Sequence, residues 1–257
     1  MTPSVSGSVT YATIAEARAA SGLRLIVSTG VPGPWGEAIK SVLDCKGVEY
    51  LLAGQEVGGE NPALLAWTGQ ASAPVLAWED VPPCISCVDQ VLLAESIAAP
   101  ALLPQDPELR AQTLGIILER GGRDGLGWQR RLQITQAVMA SGKAPPIMQT
   151  MAARYGFSDK AANAAAQGLE SRLQWLEARI LCQQEAGSRY LVGAALTAAD
   201  LYVANFVGML KPLPQELNPM PAPMRASYSL PGPVVPDAVL AFRDLIYQQH
   251  IKTPLTF

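Results

Sequence analysis

Histidine is nearly missing from this chain. With His250 as the only one in 257 residues, neither a histidine-ligated metal centre nor a Ser/His/Asp relay has the residues to assemble, and His250 is read as structural. Cysteine is also sparse. Cys45, Cys84, Cys87 and Cys182 are too few and too irregularly spaced for a secreted disulfide framework, which a chain this long does not need. A reducing, cytoplasmic setting is the expectation. Positive charge is scattered and the formal net charge is −3, so there is no basic face for nucleic acid and no polybasic run for an anionic membrane. Apolar runs are broken by Pro, Gly or charge well short of a membrane span. The opening MTPSVSGSVT has neither a basic n-region nor an apolar h-region. What remains is a soluble chain with room for two small domains.

The first 20 residues are small and polar, then Ala-rich, and read as an extension on the surface. LRLIVST, Leu23 to Thr29, is an apolar run of strand length ending in Gly30 and Pro32, which fits a buried central strand. From Pro34 to Lys46 the apolar Trp35, Ala38, Ile39, Val42 and Leu43 recur at helical spacing, with Pro34 in the first turn and Gly47 at the C-cap. Val48 to Leu52 reads as the next strand, and Asn61-Pro62 opens a short helix. Ala73 to Trp78 is an apolar strand with proline at its first turn, where a cis peptide fits. A short Pro82 to Ile85 piece completes a hairpin, and a helix runs from Ser86 to about Ala98. Alternating strands and helices imply a right-handed crossover and a parallel pair. The result is a thioredoxin-like βαβαββα unit.

Prolines at 100, 104 and 107 mark a linker into a helical half, with helices expected at Glu108–Glu119, Trp128–Ala140, Asp159–Gln183, Thr197–Leu210 and Asp237–His250. Between Pro212 and Pro236, Pro and Gly are too frequent for regular structure, so an ordered loop or flap is expected. The segment YLVGAALTAADL, Tyr190 to Leu201, carries the sharpest signal. Thr197 and Asp200 have capping-box spacing, and no charge follows before Lys211. A helix starting there is buried on most sides.

The order of elements, Ala73-Pro74 and the LVG...LTxAD segment resemble the cytosolic glutathione transferase superfamily from Leu23 to the C-terminus, and LIYQQHIKTPLTF resembles the C-terminal tails of bacterial members. The resemblance implies a thioredoxin-like domain over 21–100, an all-helical domain over 101–257 and a homodimer, with residues 1–20 as the extension. It also implies glutathione in a groove of the first domain. There Ala73, before Pro74, resembles the residue whose backbone pairs with the cysteinyl part of the tripeptide. The acidic-serine pair that holds the γ-glutamyl end falls on Ile85 and Ser86, so its acidic member is missing. Glu95-Ser96 has the same composition but lies near the helix end. Ser86 and Asp89 also form a capping box of their own, and both roles can coexist. Trp67 and Gln70 lie where the family often places groups near the glycyl end.

This sequence departs from the family at the first helix. Patterns such as S-P-F-S or C-P-F-A align with Gly33-Pro34-Trp35-Gly36, so the usual catalytic Ser, Tyr or Cys is absent. The amides of Trp35 and Gly36 at the helix start, or the hydroxyl of Ser28 (with Thr29 beside it), are the groups left to favour a thiolate. For the acceptor, the resemblance points to Trp35, Trp128, Arg130, Arg131, Met139 and Tyr155, an apolar wall with cations. Three functions stay open. One is transfer or exchange of the glutathione thiolate at a small hydrophobic electrophile, and another is a silent scaffold, argued from Gly33 and Ile85. The third is a thiol-disulfide oxidoreductase using the C-x-x-C of Cys84 and Cys87.

Overall fold

The computed structural model of the protein describes residues 9–142 and 144–257. Its first half contains α1 (Ile14–Ala19), β1 (Leu23–Ser28), α2 (Pro34–Cys45), β2 (Leu51–Gln55), α3 (Pro62–Thr68), β3 (Val75–Trp78) and α4 (Cys87–Ile97). The strands form one sheet in the order β2-β1-β3, with β1 parallel to β2 and antiparallel to β3. Strand alternation divides the side chains of β1 between two cores. Leu23, Leu25 and Val27 pack with Ile39 and Leu43 of α2 and Val91 of α4, while Ile26 packs with Ala17, Ala53, Leu64 and Val75.

Three expectations change here. Of the stretch read as a surface extension, residues 1–8 lie outside the described residues, and the rest is built into the sheet from Ala12 onward. Ala12 N–H donates to the Leu52 carbonyl at 2.9 Å, Gly54 N–H returns to the Ala12 carbonyl at 3.1 Å, and Ala17 is fully buried. Helix α1 is held by a capping box in which Glu16 N–H donates to Thr13 Oγ1 at 3.2 Å and Thr13 N–H to Glu16 Oε2 at 2.7 Å. Strand β2 starts at Leu51 rather than Val48, because its register is set by β1 and by Tyr11. A Cβ on Gly54 would sit 3.2 Å from the Tyr11 ring. The hairpin after β3 shrinks to a single bridge between Leu76 and Cys84. Pro82 and Pro83 have no N–H to extend it.

The second half holds α5 (Pro107–Gly121), α6 (Leu126–Ala140), α7 (Pro146–Arg154), α8 (Asp159–Glu185), α9 (Ala198–Leu210), α10 (Ala222–Tyr228) and α11 (Asp237–His250). Every residue of α9 from Ala198 to Met209 is buried, as its uncharged sequence requires. Asp200 sits at its start with no exposed surface and accepts from Leu191 N–H at 2.7 Å, Thr197 N–H at 2.7 Å and Thr197 Oγ1 at 2.8 Å. Burial pushes its carboxyl up to about 6, against the pull of those donors. The α7 helix was not expected from the sequence. It is only nine residues long and buries none of them, and it opens at Pro145 and Pro146, which read as a turn. Helix α10 lies inside the stretch expected to be loop. Arg130 fixes the turn after it, donating to the carbonyls of Leu230 at 2.6 Å and Pro231 at 3.0 Å.

Candidate functional site

A cleft runs between the sheet domain and the helices packed on it. One part, of 370 Å³, is lined by Gln70, Ala73, Pro74, Ile85, Ser86, Cys87, Arg123, Trp128 and Tyr155 among others. It falls within the range of about 300–1,000 Å³ usual for small-molecule sites. The adjoining part, of 60 Å³, is lined by Ser28, Gly33, Trp35, Gly36, Gln55, Arg131, Arg154 and Tyr155 among others, and the two share Trp35, Ser72, Ala73, Pro74 and Tyr155.

The floor is made by the turn into α2. Gly33 is the N-cap, in ordinary extended conformation at φ −67°, and gives α2 no side-chain cap. The first-turn amides of α2 therefore have no side-chain oxygen facing them. Trp35 is anchored on both sides: its indole N–H donates to the Gly121 carbonyl at 2.7 Å and its ring meets Phe206 edge-on at 5.0 Å. That contact depends on Gly127, where a Cβ would lie 2.8 Å from Trp35 Cζ2. Ser28 ends β1 with its hydroxyl already accepting from Gln55 Nε2 at 2.8 Å.

The edge of the cleft is the backbone at Ala73. The Ala73-Pro74 peptide is cis, and neither the N–H nor the C=O of Ala73 has a hydrogen-bond partner among the described residues. Gln90 holds the adjoining turn, donating from Nε2 to the carbonyls of Pro74 at 3.0 Å and Cys84 at 3.2 Å. Ser86 caps α4, accepting from Asp89 N–H at 3.1 Å and donating to Asp89 Oδ2 at 2.6 Å. Ile85 is 45% exposed beside it, where it offers a ligand no charge. Gln70 lines the cleft and donates to the Ser72 carbonyl at 2.7 Å.

The far wall comes from the helical half. Trp128 and Tyr155 meet edge-on at 4.7 Å, and Arg123 lies 5.9 Å from the Trp128 ring. Arg131 reaches Tyr228 Oη at 3.4 Å and stacks over that ring at 5.8 Å. Gly33, Trp35, Gly36, Ser28, Ala73, Pro74, Ile85, Ser86, Gln70, Trp128, Arg131 and Tyr155 thus all line one cleft. Trp67 does not. It packs against the core on the other side of the sheet, under the Arg24 guanidinium at 5.9 Å. Arg130 is turned toward the α10 turn, and Met139 lines neither part of the cleft.

Asn61 is an organiser that sequence reasoning missed. Its Nδ2 lies within hydrogen-bond reach of Gln55 Oε1 at 2.8 Å and the Ala71 carbonyl at 3.0 Å, tying both sides of the cleft floor together. It holds a left-handed φ of 44°, which asparagine tolerates better than most residues, and the only sequence signal was an asparagine just before Pro62. Met151 and Arg154 were also missed, because they lie on α7. Cys84 and Cys87 are not joined by a disulfide in the structure. Burial raises both Cys84 and Cys87 above the ordinary thiol value, and Asp89 adds to the rise. That environment is the reverse of thiolate activation.

No protein-family model matches the chain, and no curated protein matches it in sequence. Solved structures do match its shape. A glutathione S-transferase from Methylobacillus flagellatus with glutathione bound superposes at a TM-score of 0.60, with 13% identity over 89% of this chain and 96% of that one. The theta class enzyme from Xanthomonas axonopodis pv. citri, also with glutathione bound, gives 0.59 with 17% identity over 91% and 99%. One from Methylobacterium radiotolerans in complex with glutathione sulfonate gives 0.60 with 15% identity over 92% and 98%. The chain therefore has the glutathione S-transferase fold, a thioredoxin-like domain followed by a helical one. Among the described residues no helix is long and apolar enough to cross a membrane.

Proposed function

We propose that the protein binds glutathione in this cleft and transfers or exchanges its thiolate at a small hydrophobic electrophile. The unpaired backbone of Ala73 carries the proposal, since it lies in the same cleft as the α4 N-terminus at Ser86 and the α2 turn at Gly33. The cysteinyl unit adds to the Ala73 edge as a strand would. The γ-glutamyl carboxylate meets the amides at the start of α4, and the sulfur lies over Gly33 and Gly36, facing the first-turn amides of α2. Those amides and the helix dipole favour the thiolate. Attack then forms a carbon–sulfur bond and expels the electrophile's leaving group with its electron pair, while the thiol proton has already gone to solvent.

Retention on immobilised glutathione, eluted by the free tripeptide, tests the binding half of this reading. Conjugation of a generic aryl halide above the uncatalysed rate tests the other half. A second reading rests on Gly33 and Ile85, which remove the hydroxyl and the acid that the family pattern holds there: a glutathione-binding scaffold without turnover. Retention without conjugation would select it. The four free thiols accord with a cytoplasmic enzyme. A homodimer belongs to the same proposal. Leu118 and Trp175, 54% and 48% exposed, border a groove of 660 Å³ between α5 and α8, and a second copy would cover that apolar surface.

A further inference from the structure

The wall opposite the α2 turn holds more positive charge than the fold requires. Arg154 lines the cleft from the last residue of α7 and makes no hydrogen bond or ion pair among the described residues. Arg131 lines it from α6 and bonds to the Tyr228 hydroxyl rather than to a carboxylate, and its Nε is buried with no partner. Glu37 is the carboxylate lining this part of the cleft among the described residues. Its Oε1 is ion-paired with Lys40 Nζ at 2.9 Å, and its buried Oε2 has no hydrogen-bond partner, so it bonds to neither arginine. Among the described residues, no carboxylate therefore answers these two guanidinium groups. An unanswered, half-buried cation pair is costly unless an anion arrives.

Resting on the glutathione site assigned above, we propose that the electrophile this protein takes carries a carboxylate, held by Arg131 and Arg154 across the cleft from the sulfur. Glutathione's own carboxylates lie elsewhere in that assignment. The γ-glutamyl end is at Ser86, and the glycyl end, by the family resemblance, runs toward Gln70 on the sheet domain. The arginines belong to the helical half, on the side from which an acceptor must approach the Gly33 turn. Trp35, Met151 and Tyr155 line the same part of the cleft and give the acceptor's carbon skeleton an apolar seat. Charge at one end and an aromatic wall along the other fit a small aryl or unsaturated carboxylic acid.

Product analogues test this without any need for turnover. Glutathione, S-benzylglutathione and S-(para-carboxybenzyl)glutathione are titrated calorimetrically into the wild type, Arg154→Gln and Arg131→Gln. The carboxylated conjugate binds the wild type about tenfold or more tighter than the benzyl conjugate, as a charge-assisted contact predicts, and the margin narrows as salt rises. In Arg154→Gln the preference falls to near parity while glutathione itself binds as before. Arg154 makes no hydrogen bond or ion pair among the described residues, so that variant stays informative if Arg131→Gln, which loses its Tyr228 contact, fails to fold. Equal or weaker binding of the carboxylated conjugate to the wild type overturns the proposal. So does an Arg154→Gln variant that loses glutathione and conjugates alike, which would assign the arginine to the tripeptide. If none of the three compounds binds, the glutathione site falls, and this inference falls with it.

Discussion

Replacing Gly33 by serine restores in one step what the turn into α2 lacks. The substitution is sterically free, because a Cβ at Gly33 meets only Val31 Cγ1 at 3.9 Å and the residue's φ of −67° suits any side chain. A serine hydroxyl there faces the position assigned to the sulfur. One hydrogen bond to a charged group contributes about 1.5–3 kcal/mol, which is roughly 10- to 100-fold in rate if it forms only with the thiolate-like transition state. The hydroxyl can instead cap α2 by accepting from the Gly36 amide, but serine gains only a few tenths of a kcal/mol over glycine at an N-cap, roughly a factor of two at most. The assay is kcat/KM for aryl-halide conjugation, with Gly33→Ala supplying the Cβ without the oxygen. Gly33→Ser should exceed both Gly33→Ala and the wild type by at least tenfold, and the thiolate absorbance of bound glutathione should appear at lower pH. Equal rates in the serine and alanine variants would show that the sulfur lies somewhere other than this turn.

Further outcomes follow from the same geometry. Cys84 and Cys87 are raised above the ordinary 9.0 by burial, so their thiolate fraction at neutral pH is below about 1% and labelling by a disulfide probe should climb about tenfold per pH unit through pH 8. Fast labelling at pH 7 with a plateau below 8 would instead revive the oxidoreductase. Gly127→Val drives a side chain into Trp35 Cζ2 and the Phe206 ring. It should lower stability by about 1–3 kcal/mol in urea titrations and shift tryptophan fluorescence, and an unchanged midpoint would mean that Trp35 is not clamped there. Leu118→Glu combined with Trp175→Glu puts charge on the apolar groove between α5 and α8. Light scattering should then report 27.2 kDa where the wild type reports about twice that, and a wild type that is already monomeric removes the dimer.

What could be read from the sequence was set by how local each signal is. Thr197 to Leu210 announced a buried helix because its cap and its lack of charge both lie within a short stretch, and α9 starts one residue later. Pro34 and Gly47 likewise bracketed α2, and Ala73-Pro74 marked the cleft edge. Pairing across the chain was harder to read. Ala12 joins the sheet beside Leu52 through backbone groups that have no sequence signature, and β2 starts three residues later because its pairing with β1 begins at Leu51 opposite Arg24. The site divided along the same line. Residues near Gly33, Ala73 and Ser86 follow the strand and helix ends, while Arg154 comes from a short helix that buries none of its residues. Trp67 was misplaced by one step of helix phase. Its side chain faces the Ile26 core, whereas Gln70, just past the helix, turns into the cleft.

The central claim is tested most directly by a crystal structure of the protein grown with saturating glutathione. The account predicts a tripeptide whose cysteinyl N–H and C=O pair with the Ala73 backbone at about 2.9 Å, with one carboxylate at the Ser86 amides and the sulfur over Gly33. Density for the tripeptide anywhere else, or a cleft that holds only water at that concentration, would contradict it.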